Sequence, residues 1–228
     1  MDTPSGATGL LAGAISYMLA VCAPIGAAEL TLPTPCPDWN LAMLLGHLCQ
    51  SMADLETALR TGRLDLYEPV GRAGGDPVEA LRDGAAQLLC AGYCYGGPEC
   101  FVAVGGLPMP AGLVACTGAV EIAVHGWDVS AARARAGCDS AGSDSVSPGS
   151  ASPGSVSSGS ASPGSASPGR GTSQIPIPAA LATRMLRLSP LLVAGREGLF
   201  AVPVELPAQA SPGDRLVSYL GRHPGAPA

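Results

Sequence analysis

The chain has 228 residues, enough for one medium-sized domain with appendages. Hydrophobic residues make up 47% and aromatics only 4%, so the core must be built from Leu, Ala and Val, which favours helices over a sandwich of aromatic strands. The formal net charge of −6 argues against nucleic acid as a main partner, since phosphate binding needs a basic face. All 12 basic residues are Arg and none is Lys, which fits a GC-rich coding bias rather than a function.

The first element is a helix over 7–29. Between Thr3 and Ala28 there is no charged side chain, which raises the question of a secretory signal or a membrane helix. No basic residue precedes the apolar run, Asp2 has the wrong sign, and Ser16, Tyr17 and Pro24 interrupt it. The run is therefore expected to be a buried helix of a cytoplasmic protein with no membrane partner. Residues 31–38 are punctuated by prolines and cannot be helical. A second helix is expected from Trp39 to Arg60, with Asp38 or Asn40 as N-cap. Its apolar stripe is Leu41, Leu44, Leu45, Leu48, Met52, Leu55 and Leu59, and His47 lies at the edge of that stripe.

A Gly- and Arg-containing loop, 61–75, leads to a third helix over Asp76–Cys94, capped by Asp76 with Pro77 in its first turn. Phe101–Val104 is a short extended piece ended by Gly105-Gly106. A fourth helix, Pro110–Ala136, carries Glu121 and His125 four residues apart on one face, with Gly118 and Asp128 one turn to either side. Leu113, Cys116, Val120, Val124 and Trp127 form the opposite, apolar face. A Glu–His pair at this spacing is ordinarily a surface pair contributing a few tenths of a kcal/mol. Here it lies in an apolar run, in a chain with only three histidines, His47, His125 and His223. Two of these stand in core-like helices, and carboxylate and imidazole are both good ligands for zinc-like ions.

Residues 138–173 are low in complexity. Five Ser/Pro/Gly pentads run from Ser145 to Gly169, with almost no apolar surface to bury, so the segment is expected to be a disordered, passive insert. A fifth helix over 178–194, an extended stretch Gly198–Glu205 and a short helix over 212–221 capped by Ser211 complete the chain, with His223 in an exposed tail. Of the eight cysteines, five (22, 49, 90, 94 and 116) fall in expected helices and read as buried free thiols. The spacing Cys90-x3-Cys94-x5-Cys100 matches no zinc pattern.

Three segments carry a family resemblance. Thr34-Pro-Cys-Pro-Asp-Trp39 followed by Leu44-Leu-Gly-His47-Leu is similar to a segment of the DinB/YfiT-like metal-binding proteins. Glu121-Ile-Ala-Val-His125-Gly-Trp-Asp128 resembles the matching segment of the actinobacterial branch that includes mycothiol-dependent maleylpyruvate isomerase. The tail, Gly198–Glu205 with Asp214-Arg-Leu216 and Leu220-Gly-Arg222, looks like the ending of small stand-alone members. The resemblance implies an all-α protein, a DinB-like up-down-down-up four-helix bundle with short C-terminal helices. It divides the chain into a metal-binding bundle (1–137), the insert (138–173) and a C-terminal extension packed on the bundle (174–228).

The resemblance also implies a divalent metal, zinc or nickel, held by His47, Glu121 and His125. Gly118 would leave room over the ion, and Asp128 would be a carboxylate behind the ligands or a helix-end partner. A low-molecular-weight thiol such as mycothiol and a small electrophile are the implied partners of a monomer or homodimer. The isomerase has a further C-terminal domain that supplies a catalytic arginine. About 55 residues follow the insert, fewer than a typical domain, so thiol transfer or another thiol-dependent isomerisation is expected rather than maleylpyruvate isomerisation itself. The alternative from another class is a non-catalytic metal-binding or structural helical module.

Overall fold

The computed structural model describes residues 4–64, 75–97, 99–142, 173–192 and 201–224. The pentad repeats, the loop 65–74 and the first part of the expected extended stretch at 198–205 lie outside these residues. Within them the chain is mostly helical: α1 (Pro4–Cys22), α2 (Leu41–Thr61), α3 (Pro77–Tyr95), α4 (Ala111–Gly142), α5 (Ala179–Leu192) and α6 (Pro212–Tyr219). Among the described residues no helix is long and apolar enough to cross a membrane.

Helix α1 is buried along its length through Leu10, Leu11, Ala14, Ile15, Met18, Val21 and Cys22. Burial pushes the Cys22 thiol up to about 12. The helix stops at Cys22 rather than at 29, because Pro24 cannot continue it. A single 3-10 turn, Ala27–Glu29, follows. Asn40 caps α2 by accepting from the Met43 N–H, and Gly62 closes it in the left-handed conformation at φ 72°. Asp76 caps α3 through the Val78 N–H, with Pro77 in the first turn. Ser211 caps α6 through the Asp214 N–H.

The expectation of an all-helical chain is corrected by a small three-stranded sheet in the order β1-β2-β3. Strand β2 (Phe101–Val104) and β3 (Leu107–Pro110) form an antiparallel hairpin with Val104 opposite Leu107. Gly105 and Gly106, at φ 55° and 83°, make the turn that lets the strands fold back. Strand β1 (Arg63–Leu64) pairs in parallel with β2, directly after the left-handed Gly62.

Helix α4 packs on α1 and α2, and α3 packs on the same two helices, so α1 to α4 close a ring of contacts. Two glycines allow α4 its close approaches. A Cβ at Gly118 would stand 2.1 Å from Leu55 Cδ1 on α2, and one at Gly126 would stand 3.2 Å from the Tyr17 ring on α1. Gly118 is therefore a helix-packing residue, not room left over a metal. From Gly118 to Arg133, α4 is buried on every side except at Glu121. The expected division into one apolar face and one polar stripe gives way to polar groups set inside a buried helix. Helix α4 also runs to Gly142, past the expected boundary at 137.

Helices α5 and α6 pack together, and α5 touches α1 and α4. The return of the chain to the helical core is pinned at Ile175, whose N–H donates to Ser130 Oγ at 2.6 Å and whose carbonyl accepts from Tyr17 Oη at 2.8 Å. Among the described residues no cysteine is in a disulfide. Cys22 and Cys116 are buried, but Cys90 and Cys94 are exposed on α3, against the expectation of buried thiols.

Candidate metal centre

Three of the sequence-selected residues meet. Helix α2 places His47 and helix α4 places Glu121 and His125, so that both imidazoles face one carboxylate oxygen. His47 Nε2 lies 2.9 Å and His125 Nε2 3.2 Å from Glu121 Oε1. One donor atom from each of the three residues lies within 4.8 Å of the others. Ligands bound at about 2.0–2.2 Å to one octahedral or tetrahedral ion stand roughly 2.8–3.6 Å apart, so the two N···O separations suit a shared cation. The third histidine, His223, is exposed in the tail and takes no part.

Asp128, one turn beyond His125, is fully buried and accepts from four directions. His125 Nδ1 is 2.9 Å from Oδ2, Arg222 Nη2 donates to the same oxygen at 3.0 Å, Arg222 Nε reaches Oδ1 at 3.4 Å, and Cys36 Sγ donates to Oδ2 at 3.4 Å. The expectation for Asp128 thus takes a definite form: it fixes the Nδ1–H tautomer of His125 and leaves Nε2 directed at Glu121. A neutral imidazole in that tautomer presents a lone pair to a carboxylate, an arrangement that needs a proton or a metal cation between the two atoms.

The electrostatics follow from this packing. Burial alone would lower the His125 pKa, but hydrogen bonds to Asp128, Cys36 and Glu121 outweigh it and raise the value to about 11. Burial works to raise Glu121, yet the hydrogen bonds from His125 and His47 hold it well below the usual carboxylate range. For Asp128 burial is likewise outweighed, by the His125 hydrogen bond and the Arg222 guanidinium, and its pKa is lowered. Arg222 is held above its ordinary value: burial opposes the charge, and Asp128 more than compensates. Arg222, Asp128, His125 and Glu121 therefore form a network of alternating charges, in which a divalent cation would take the place of the proton between His125 Nε2 and Glu121.

Cys36, Trp39 and Arg222 also belong to the site, though no separate role for them was legible in the sequence. Cys36 and Trp39 stand in the Thr34–Trp39 turn, where Thr34 Oγ1 accepts from the Cys36 N–H at 3.2 Å and donates to the Trp39 carbonyl at 2.9 Å. Asp38 in this turn has φ 64°, the one non-glycine residue of positive φ among the described residues. The turn sets the Trp39 ring 4.9 Å from the His47 ring and 6.3 Å from the His125 ring, between centroids. Cys36, His125 and Asp128 also cluster closely enough to hold an ion. The Arg222 cation already occupies the shared Asp128 oxygen, so this second cluster reads as support for His125. Arg222 follows α6, and its signal was the Leu220-Gly-Arg222 stretch at the end of the chain.

Beside Glu121 is a cleft with about 50 Å³ of free space, lined by Thr117, Val120, Val124, Ser189, Leu220 and Arg222. Val120 and Val124 give it an apolar wall beside Thr117 on α4, and Arg222 also lines it. It adjoins the carboxylate on which the imidazoles converge.

With the geometry in place, comparison with known proteins assigns the class. A profile of the mycothiol maleylpyruvate isomerase N-terminal domain matches residues 11–130, just over half of the chain, and the chain belongs to that family. The matched region contains His47, Glu121, His125 and Asp128, and Arg222 lies beyond it. No curated protein and no solved structure matches the chain.

Proposed function

We propose that the chain is a divalent-metal protein in which His47, Glu121 and His125 hold zinc or nickel, and that it transfers a low-molecular-weight thiol such as mycothiol to a small electrophile or uses the thiol to isomerise one. The observation that carries this reading is the convergence of two imidazole Nε2 atoms on one Glu121 oxygen, at 2.9 and 3.2 Å. The ring of contacts among α1 to α4 supports a DinB-like up-down-down-up bundle as the scaffold. Three protein ligands leave an open position, where a bound divalent metal would lower the pKa of a thiol and present it as thiolate.

The chain's own residues do the remaining work. Asp128 and Arg222 keep His125 in one tautomer and orientation. Trp39 walls the two imidazoles, and the packed helices bury His125, while the His47 and Glu121 side chains stay 33% and 36% exposed and so reachable by substrate. The cleft next to Glu121 is far smaller than the roughly 300–1,000 Å³ of a pocket for a drug-sized ligand, so it suits the reacting end of a small electrophile. In the transfer the thiol sulfur bonds to the electrophilic carbon, and the displaced group leaves with the thiol proton.

The test is turnover. Zinc- or nickel-loaded protein is incubated with mycothiol and a chromogenic electrophile, beside metal-free protein and His125→Ala. Conjugate formed only by the loaded parent supports the reading. Stoichiometric metal without conjugation or thiol-dependent isomerisation of any electrophile in a broad panel refutes catalysis and leaves a non-catalytic metal-binding module.

A further inference from the structure

The solvent face of α3 carries a second arrangement of metal-binding atoms, separate from the histidine cluster. Cysteine is among the residues most often buried, yet Cys90 and Cys94 are both exposed, one helical turn apart. The core-facing residues of the helix are Leu81, Ala85, Leu88 and Ala91, so neither thiol is needed for packing. The helix packs on α1 and α2, and its thiol face turns to solvent.

The i,i+4 spacing decides what such a pair can do. On a helix the two Cβ atoms stand about 5–6 Å apart. A disulfide needs Cβ atoms about 3.5–4.5 Å apart, so closing one here would require unwinding the helix. Two thiolates on opposite sides of one ion, at about 2.3 Å per bond, have sulfurs about 4.6 Å apart, within reach of an intact turn. The spacing thus selects against an intrahelical disulfide and for a bridging soft cation.

We propose that Cys90 and Cys94 form a binding site for a soft cation of two-coordinate preference, copper(I) being the biological example. Thiolates favour such an ion over harder divalent metals. Binding is Cu(I) plus two thiols giving a bis-thiolate complex and two protons, with no change of oxidation state. The charge of Cys90 and its hydrogen bond hold the Cys94 thiol above its usual range, because a second thiolate beside the first is repelled. A cation between the sulfurs removes that repulsion.

The experiment is an anaerobic copper(I) titration of the full chain against a chromogenic copper(I) chelator. Parent, Cys90→Ser, Cys94→Ser, Cys100→Ser and the double variant His47→Ala/His125→Ala are compared, with circular dichroism to confirm that each stays helical. The expected result is one equivalent bound by the parent, by Cys100→Ser and by the histidine variant. Each single serine substitution at 90 or 94 should weaken binding about 100-fold, since one of only two ligands is lost. In the parent, bound copper should protect two thiols from a disulfide reagent. Unchanged affinity in both Cys90→Ser and Cys94→Ser, or loss of binding in the histidine variant alone, would overturn the proposal.

Discussion

At the scale of single residues, the site depends on Asp128. It holds His125 Nδ1 at 2.9 Å and neutralises Arg222, and it is wholly buried. Asp128→Asn keeps the volume but leaves the guanidinium without its counter-charge. It should lower metal affinity about 10–100-fold and stability by about 2–4 kcal/mol. Metal titration and thermal unfolding check the two effects, and unchanged metal affinity would mean that Asp128 does not orient His125. His47, Glu121 and His125 were legible because scarce histidines stood in apolar helices with a carboxylate one turn away. The surroundings were less legible. Nothing in the spacing of Cys36 or Arg222 says that both meet Asp128, because they lie 92 and 94 positions from it.

At the scale of elements, the approach of α2 to α4 rests on the absence of a side chain at Gly118. Gly118→Ala would drive a methyl group into Leu55 and should destabilise the fold by about 1–3 kcal/mol. Its metal content should be normal, a result that separates the packing role from any role over the ion. Thermal unfolding beside metal analysis reads both.

The turn after α1 is tied to α4 by a half-buried pair, Arg133 Nε donating to Glu29 Oε1 at 2.8 Å. Burial tends to raise the Glu29 pKa, and the Arg133 hydrogen bond outweighs it, so the folded value lies below the ordinary 4.5. The stabilisation is present above the unfolded pKa and is lost as pH falls through the lower folded one. Glu29→Gln should therefore cost about 1–2 kcal/mol near neutrality, and the difference from the parent should vanish in strong acid. A difference that persists there would show that packing, not charge, is responsible.

Helix positions and caps were legible because Asn40, Asp76 and Ser211 are local signals. The third strand was not. Leu107–Pro110 contains two prolines and reads as a break, and only pairing with Phe101–Val104 across the glycine turn makes it a strand. The all-round burial of α4 was hidden for the same reason: a helix covered on every side has little periodicity to read.

At the scale of the whole molecule, the C-terminal helices complete the site, since Arg222 reaches Asp128 from beyond the pentad repeats. What the repeats must supply is chain length. Helix α4 rises about 18 Å between Ser130 and Gly142, and the chain is pinned back at Ser130 through Ile175. Removing residues 145–164 leaves 12 residues between Gly142 and Ile175, an extended reach of about 40 Å. The shortened protein should keep its melting temperature and its metal content. A large loss of either would show that the repeats are more than a tether.

Elemental analysis of the purified protein, beside His47→Ala and His125→Ala, tests the metal centre. Close to one equivalent of zinc or nickel is expected in the parent, and its loss in both variants. A parent that stays empty after loading with either ion, or variants that retain the metal in full, would contradict the metal centre.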